Sequence, residues 1–121
     1  MLVVDDSITT RTLERHIFER NGFLVRLASD GVEALGVLRT ERCDLVVADV
    51  EMPRLDGIGL VRTMRSDPAL DSTPVILVTS LASQDDERRG LAAGAQAYIV
   101  KGRFDQEKLL QTVRELLERP T

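Results

Sequence analysis

The sequence predicts an alternating α/β domain built on a parallel five-stranded sheet. Five short apolar runs alternate with five longer segments in which apolar residues recur at helical spacing. Three of the short runs are almost continuously apolar, as expected for parallel strands that helices cover on both faces. A regular succession of strands and helices is typical of an open, mostly parallel sheet with right-handed crossovers.

The strand candidates are rich in β-branched residues. They lie at 2–4, 24–28, 45–48, 75–78 and 97–100. The doubly wound, flavodoxin-like strand order 2-1-3-4-5 is the best interpretation, because it places strands 1 and 3 side by side at the point where the order reverses. Ligands bind such sheets outside the carboxyl ends of the strands at that point. Residues that directly follow strands 1 and 3 are therefore the first candidates for a site.

Capping residues and glycines delimit the five predicted helices. The expected bounds are about Ser7–Asn21 for helix 1, from Asp30 for helix 2, after Gly57 for helix 3, about Ser83–Ala93 for helix 4 and from Asp105 for helix 5. Helix 5 has the clearest amphipathic pattern, with an apolar stripe formed by Leu109, Leu110, Val113, Leu116 and Leu117.

Length and charge limit the possible functions. The chain has 121 residues, which suits one domain over residues 1–121. Its net charge is −4, whereas nucleic-acid binding needs a basic face. One cysteine allows no intrachain disulfide, and no apolar run approaches the roughly 20 residues of a membrane span. We therefore expect a cytoplasmic domain that binds neither nucleic acid nor membrane, cut from a longer protein because it opens almost within a strand.

Three carboxylates follow the two strands that are predicted to be neighbours. Asp5 and Asp6 come directly after strand 1, and Asp49 ends strand 3. Like charges brought this close are unfavourable without a cation, and carboxylate oxygens are preferred by hard metal ions. Mg²⁺ fits this set, because it uses few carboxylates and leaves positions for water and phosphate oxygens.

A hydroxyl and an ammonium complete the pattern. Thr79 ends strand 4 and Lys101 follows strand 5. Each residue alone is an ordinary turn former or surface charge, but together with the acidic trio they suit phosphoryl transfer, which needs positioning and neutralisation of the phosphoryl oxygens. Asp49 is then the candidate nucleophile, in the manner of other aspartyl-phosphate chemistry.

The chain resembles the receiver domains of two-component response regulators over essentially its whole length. The segments that carry this resemblance are LVVDDS at 2–7, DVEMPRLDG at 49–57, VILVTS at 75–80 and GAQAYIVK at 94–101. The ordered set with its spacing is highly specific, although each segment alone is weak.

The resemblance implies a role for each site residue. Asp49 is expected to be the phosphoacceptor, Asp6 a direct Mg²⁺ ligand, and Asp5 a ligand largely through water. The main-chain carbonyl of Glu51 is expected to complete the protein's share of the metal shell. The resemblance thus implies a phosphoacceptor that assists its own phosphorylation and dephosphorylation rather than an enzyme.

The resemblance also implies a switch and partners. Thr79 and Lys101 are expected to contact the phosphoryl oxygens, and Tyr98 to turn inward when Thr79 is drawn to the phosphate. The donor is expected to be a histidine kinase or phosphotransfer domain, and a downstream protein is expected to bind the face of helix 4, strand 5 and helix 5. This face includes Tyr98, the 84–89 stretch and the exposed side of helix 5.

Two positions depart from the family pattern. Gly102 stands where receivers usually have a proline after the lysine, and the cis peptide found there in relatives is costly before a non-proline residue. Glu51 carries a charge where many relatives have a neutral or smaller residue.

The segments at 7–11 and 101–106 resemble receivers at the C-terminus of chemotaxis-type hybrid histidine kinases, and we favour that context over a free-standing receiver.

Other function classes fit less well. A phosphatase that uses an aspartyl phosphate places a second Asp where this chain has Glu51, and 121 residues leave no room for a substrate cap. A degenerate receiver that only binds partners would lack an acidic or lysine position, whereas this chain has all five site residues: Asp5, Asp6, Asp49, Thr79 and Lys101. A nucleotide-binding domain of the same fold would have a glycine-rich loop after strand 1, which this chain lacks.

Overall fold

The fold, given by a computed structural model, is a five-stranded parallel sheet between two layers of helices. The structure describes residues 1–79, 84–100 and 106–118. The strands are β1 (Leu2–Val4), β2 (Arg26–Ala28), β3 (Val46–Asp49), β4 (Val75–Thr79) and β5 (Ala97–Val100). The helices are α1 (Ile8–Arg20), α2 (Gly31–Thr40), α3 (Gly57–Arg65), α4 (Gln84–Ala93) and α5 (Gln106–Glu118). The strand order is β2-β1-β3-β4-β5, which confirms the predicted flavodoxin-like arrangement.

The predicted start of strand 2 is wrong. The strand begins at Arg26 rather than at Leu24, whose side chain is 90% exposed. The reason is that β2 is an edge strand whose one neighbour, β1, has three residues, and the three pairs from Leu2↔Arg26 to Val4↔Ala28 use all of them. Residues before Arg26 have no strand beside them to pair with.

Side-chain caps set the helix starts where the sequence predicted them. Ser7 accepts a hydrogen bond from the Thr10 N–H at 3.3 Å, and Asp30 accepts one from the Glu33 N–H at 2.8 Å. These oxygens satisfy main-chain donors that have no partner within the helix. The predicted first residues of helices 4 and 5, Ser83 and Asp105, lie outside the described residues.

Alternation along the strands divides the core into two halves. Leu2, Val4, Val46 and Ala48 face the layer that contains α2 and α3. Val3, Val47, Ile76 and Val78 face the opposite layer, where they meet Ile17 and Phe18 of α1 and Leu109, Leu110 and Val113 of α5. Because both faces are covered, the central strands are apolar at every position before their polar last residues, Asp49 of β3 and Thr79 of β4. No helix within the described ranges is long and apolar enough to cross a membrane.

Gly57, the first residue of α3, lies against the end of β3. A Cβ atom there would overlap the main-chain oxygen of Asp49 and would lie 3.0 Å from Leu77 Cδ2. We expect Gly57→Ala to lower the free energy of unfolding by about 1–3 kcal/mol, as overpacking usually does, in urea denaturation. Gly36→Ala is the control, because its Cβ would meet nothing within 4 Å and helix propensity favours alanine by up to ~1 kcal/mol. Equal stabilities of the two variants would contradict close packing at Gly57.

Candidate functional site

An acidic trio lies at the carboxyl edge of β1 and β3. The two strands are neighbours, with Val4 paired to Ala48, so the residues that follow them meet at one edge of the sheet. One carboxylate oxygen from each of Asp5, Asp6 and Asp49 lies within 4.8 Å of the other two. The structure therefore brings together the three carboxylates that the sequence predicted to converge.

The β1–α1 turn fixes two of these residues in different environments. Asp5 is 1% exposed, and its Oδ1 accepts a hydrogen bond from the Ser7 N–H at 2.9 Å. The Arg11 side chain donates to the Asp5 carbonyl oxygen at 2.8 Å, which ties this turn to α1. Asp6 is exposed and faces the adjoining pocket. Asp6 is thus accessible to a solute, whereas Asp5 is held within the turn.

Asp49 ends β3 and lines an open pocket of about 660 Å³. Its residue exposure is 9%, and its Oδ1 accepts a hydrogen bond from the Glu51 N–H at 3.3 Å. The β3–α3 loop (residues 50–56) forms one wall of this pocket, and Asp6 lies on its lining. The Asp49 carboxylate is mostly buried, yet a solute that enters the pocket can reach it.

Among the residues that the structure describes, three further charged residues line the pocket, and the sequence analysis did not assign them to the site. They are Asp56, Asp86 and Arg89. Asp56 is the N-cap of α3. Its position directly before Gly57 was the one sign in the sequence that it lies close to the end of β3 and the pocket. Asp86 and Arg89 belong to the mixed-sign charged run at 85–89, whose composition alone is typical of a solvated helix face. Asp85, Glu87 and Arg88 are exposed in this way, whereas Asp86 and Arg89 also line the pocket.

Thr79, the last residue of β4, contacts Tyr98, the second residue of β5. Thr79 is fully buried, and Tyr98 is half-buried. Burial raises the pKa of the Tyr98 phenol, the Asp86 carboxylate raises it further, and a hydrogen bond with the Thr79 side chain lowers it. A Cβ on Gly90 would lie 3.2 Å from Tyr98 Cδ2, so α4 covers the ring closely. The predicted switch pair is therefore in contact in this structure.

The coupling can be measured by titrating the tyrosine. Thr79→Val removes the hydroxyl whose hydrogen bond lowers the pKa of Tyr98, so we expect that pKa to rise further. Ultraviolet absorbance of the phenolate reports this directly, because the chain has one tyrosine and no tryptophan. Thr112→Val is the control, since that exposed hydroxyl donates to the Lys108 carbonyl on α5. An unchanged pKa in Thr79→Val would show that the hydroxyl does not act on the phenol.

The predicted ammonium cannot be placed in this site. Val100 pairs with Thr79 at the end of β5, and Lys101 follows it in the sequence. Lys101 and Gly102 lie outside the described residues, so the predicted contact of Lys101 with the phosphoryl group stays a prediction.

A family model named response regulator receiver domain matches residues 1–114. The chain belongs to the receiver domain family. Receiver domains are phosphoacceptors of signalling rather than classical enzymes, and histidine kinases phosphorylate them. The acidic pocket of Asp5, Asp6 and Asp49 is consistent with a phosphoaccepting aspartate and is typical of the Mg²⁺ site of receivers.

Similar proteins cover nearly all of this receiver domain. The gliding motility regulatory protein of Myxococcus xanthus is 45% identical over 116 residues, which are 96% of this chain and 15% of that protein. Response regulator MprA of Mycobacterium sp. (strain KMS) is 44% identical over 119 residues, which are 98% of this chain and 50% of that protein. The chain thus spans half or less of the length of these curated relatives.

A solved structure confirms the fold independently. The signal receiver domain of a signal transduction histidine kinase from Syntrophus aciditrophicus superposes with a TM-score of 0.90 at 36% identity. The match covers 99% of this chain and 92% of that one. The predicted resemblance to receiver domains is therefore confirmed in sequence and in structure.

Proposed function

We propose that Asp49 is the phosphoacceptor and that it takes its phosphoryl group from a phosphohistidine in a Mg²⁺-dependent reaction. The observation that carries this proposal is the position of Asp49, which lies within the acidic trio, is 9% exposed and borders an open pocket. In the reaction, a carboxylate oxygen of Asp49 forms a bond to phosphorus while the bond from phosphorus to the imidazole nitrogen breaks. The electron pair of that bond stays on the departing imidazole.

The donor set supports Mg²⁺ as the cofactor. Three carboxylates with oxygens within 4.8 Å of one another provide hard oxygen ligands and a negative charge that a divalent cation offsets. Asp5, Asp6 and Asp49 would hold the ion together with the main-chain carbonyl of Glu51. When bound, Mg²⁺ supplies positive charge opposite the phosphoryl oxygens.

Thr79 and Lys101 are proposed to bind the remaining phosphoryl oxygens. Thr79 supports this role by its position at the end of β4, where Val78 pairs with Asp49 of the adjacent strand. Its hydroxyl already contacts Tyr98. If the phosphoryl group competes for that hydroxyl, phosphorylation changes the environment of Tyr98 and shifts the population of two arrangements of the domain.

The surface of α4, β5 and α5 is proposed to carry the signal to a downstream protein. Tyr98 lies on β5 beside α4, so a change at its ring reaches this surface directly. A histidine kinase or a phosphotransfer domain is the proposed donor. Nucleic acid and membranes are not proposed as partners of this domain.

The proposed context is the receiver of a chemotaxis-type hybrid histidine kinase in the cytoplasm, with residues 1–121 as its receiver domain. Two findings favour it over a free-standing receiver. The Syntrophus aciditrophicus structure is the receiver of a histidine kinase, and the match to the Myxococcus xanthus regulator covers 15% of that long protein. A histidine kinase core encoded in the same polypeptide would support this context. A gene that encodes a receiver domain and nothing else would contradict it.

Phosphorylation by a small-molecule donor tests the proposed reaction. Incubation with acetyl phosphate and Mg²⁺ should add one phosphoryl group to the protein, observed as an increase in intact mass. Omission of Mg²⁺ with a chelator present should prevent the increase. Equal labelling with and without the metal would contradict the Mg²⁺ dependence, and continuous release of phosphate without a phosphoprotein would favour a phosphatase.

A further inference from the structure

The β3–α3 loop forms one wall of the acidic pocket, and the first residue of α2 packs against this loop on the side away from the pocket lining. The Gly31 N–H donates to the Leu55 carbonyl oxygen at 3.1 Å. A Cβ on Gly31 would lie 2.5 Å from that same oxygen, so only glycine allows this approach. The loop that contains Glu51 is thus in contact with a separate element of the fold.

An ion pair next to this contact joins the same two elements. Arg54 of the loop donates to Asp30 Oδ2 through Nε at 2.8 Å and through Nη2 as well. The other oxygen of Asp30, Oδ1, accepts the Glu33 N–H and caps α2. One carboxylate therefore begins a helix and anchors the loop at once.

The buried carboxylate distinguishes this pair from a salt bridge between two exposed groups, even though the Arg54 side chain is 60% exposed. Asp30 is 5% exposed, and both of its oxygens are engaged. The hydrogen bond from Glu33 lowers the pKa of Asp30, and Arg54 lowers it further against the effect of burial. Two donors of one guanidinium on one fixed carboxylate also define an orientation, which a single flexible contact does not.

The backbone of Arg54 shows that the loop conformation depends on such support. Its φ is +66°, and of the described residues other than glycine it is the one with a positive φ. This left-handed conformation is unfavourable for a long side chain and persists when surrounding contacts hold it. A hydrogen bond from the Leu55 N–H to the Pro53 carbonyl at 2.8 Å closes the turn around Arg54, and the contacts that end at Asp30 and Gly31 support it from α2.

We propose that Asp30 and Arg54 are positioning residues for the Mg²⁺ site, acting through the β3–α3 loop. Glu51 lies three residues before Arg54 in the same loop. The ion pair fixes the loop so that the Glu51 carbonyl faces the acidic trio. Neither residue is among those that line the pocket in the part of the chain that the structure describes. This inference rests on the proposed Mg²⁺ binding by Asp5, Asp6 and Asp49.

Because Arg54 is positively charged, replacing it changes Mg²⁺ affinity in opposite directions under the two explanations, electrostatic repulsion and loop positioning. Removing a positive charge near an anionic site strengthens cation binding if electrostatics alone operate. Positioning predicts the opposite result, because a loosened loop presents its carbonyl less well. Asparagine suits the left-handed backbone, so Arg54→Asn removes the ion pair without opposing the φ of the loop.

Mg²⁺ affinity should be measured by isothermal titration calorimetry on the full chain. We expect Arg54→Asn to weaken Mg²⁺ binding by about tenfold, the usual size of effect for groups that orient metal ligands. Arg54→Lys, which keeps the charge, should weaken it less. Asp30→Asn retains a side-chain cap for α2 but loses the charge, and we expect it to weaken binding as well. Because the two substitutions break one ion pair, their combination should weaken binding less than the product of their separate effects.

The control removes an equal charge elsewhere. Arg26 and Glu41 form a surface pair with the same kind of contact, Nε to Oε2 at 2.7 Å, so Arg26→Gln should leave Mg²⁺ affinity unchanged or slightly raised. Urea denaturation without metal separates a loss of binding from a loss of fold. Unchanged or tighter binding in Arg54→Asn, with normal binding by the wild-type protein, would overturn the positioning role alone. Wild-type protein that binds no Mg²⁺ would overturn the proposed metal site itself.

Discussion

Asp49→Asn is expected to abolish phosphorylation by acetyl phosphate and Mg²⁺. The substitution keeps the size of the side chain but replaces the nucleophilic carboxylate oxygen with an amide, which does not form the acyl phosphate. Asp49 is the one member of the trio that both ends a strand and lies 9% exposed at the edge of the open pocket. Intact mass spectrometry, with peptide mapping of the labelled wild-type protein, measures the result.

A second aspartate in the same pocket supplies the control. Asp56 lines the pocket and caps α3 by accepting the Gly59 N–H at 2.7 Å. Asparagine is an equally good N-cap, so Asp56→Asn removes a carboxylate from the pocket without weakening the helix start. We expect this variant to keep most of its label. Persistent labelling of Asp49→Asn, or equal loss in both variants, would contradict the assignment of the acceptor.

Mg²⁺ is expected to stabilise the folded protein through the same trio. An ion that binds the folded state alone raises the free energy of unfolding by about 2.7 kcal/mol at a hundredfold excess over its Kd. Asp6→Ala should lose most of this gain, because Asp6 is the exposed member of the cluster. Without metal, the variant should be no less stable than the wild type, since one of three crowded negative charges is gone. Thermal denaturation with and without Mg²⁺ measures both quantities.

Ionic strength is the main alternative cause of such a gain. NaCl at matched ionic strength screens the trio without occupying a site, and it should give a much smaller increase in Tm than MgCl₂. Asp44→Asn, which changes an exposed carboxylate that contacts Arg42 at 3.9 Å, should respond to Mg²⁺ as the wild type does. An undiminished Mg²⁺ response in Asp6→Ala would remove Asp6 from the metal site. Indifference of the wild-type protein to Mg²⁺ would favour a degenerate receiver.

The convergence of the acidic residues was predictable because strand order follows from few rules. Once the apolar runs are interpreted as parallel strands with right-handed crossovers, strands 1 and 3 become neighbours. Asp5, Asp6 and Asp49 then meet at one edge without any knowledge of their side-chain orientations. The Asp30 cap was predictable for a similar reason, since a short polar side chain before a helical segment acts within four residues of its own position.

The pairing of Asp30 with Arg54 was not predictable from either residue. The two are 24 positions apart in the chain, and their contact depends on how two loops approach each other. The same is true of Asp86 and Arg89, which belong to a charged helix face in sequence and to the pocket lining in three dimensions. The rotation of α4 about its axis, set by its packing on the sheet, decides which members of that face reach the site.

The α/β class, the strand order and the identity of the acidic trio were predictable from the sequence, because apolar periodicity and the residues that follow each strand are visible in it directly. The extent of β2, the charges of α4 that face the pocket and the residue that holds the β3–α3 loop became evident in the three-dimensional fold. These features arise from contacts between segments that are distant in the sequence. The pairing available from β1 limits β2, and the close approach at Gly31 limits the β3–α3 loop, so that each adopts one of the conformations that its local sequence permits.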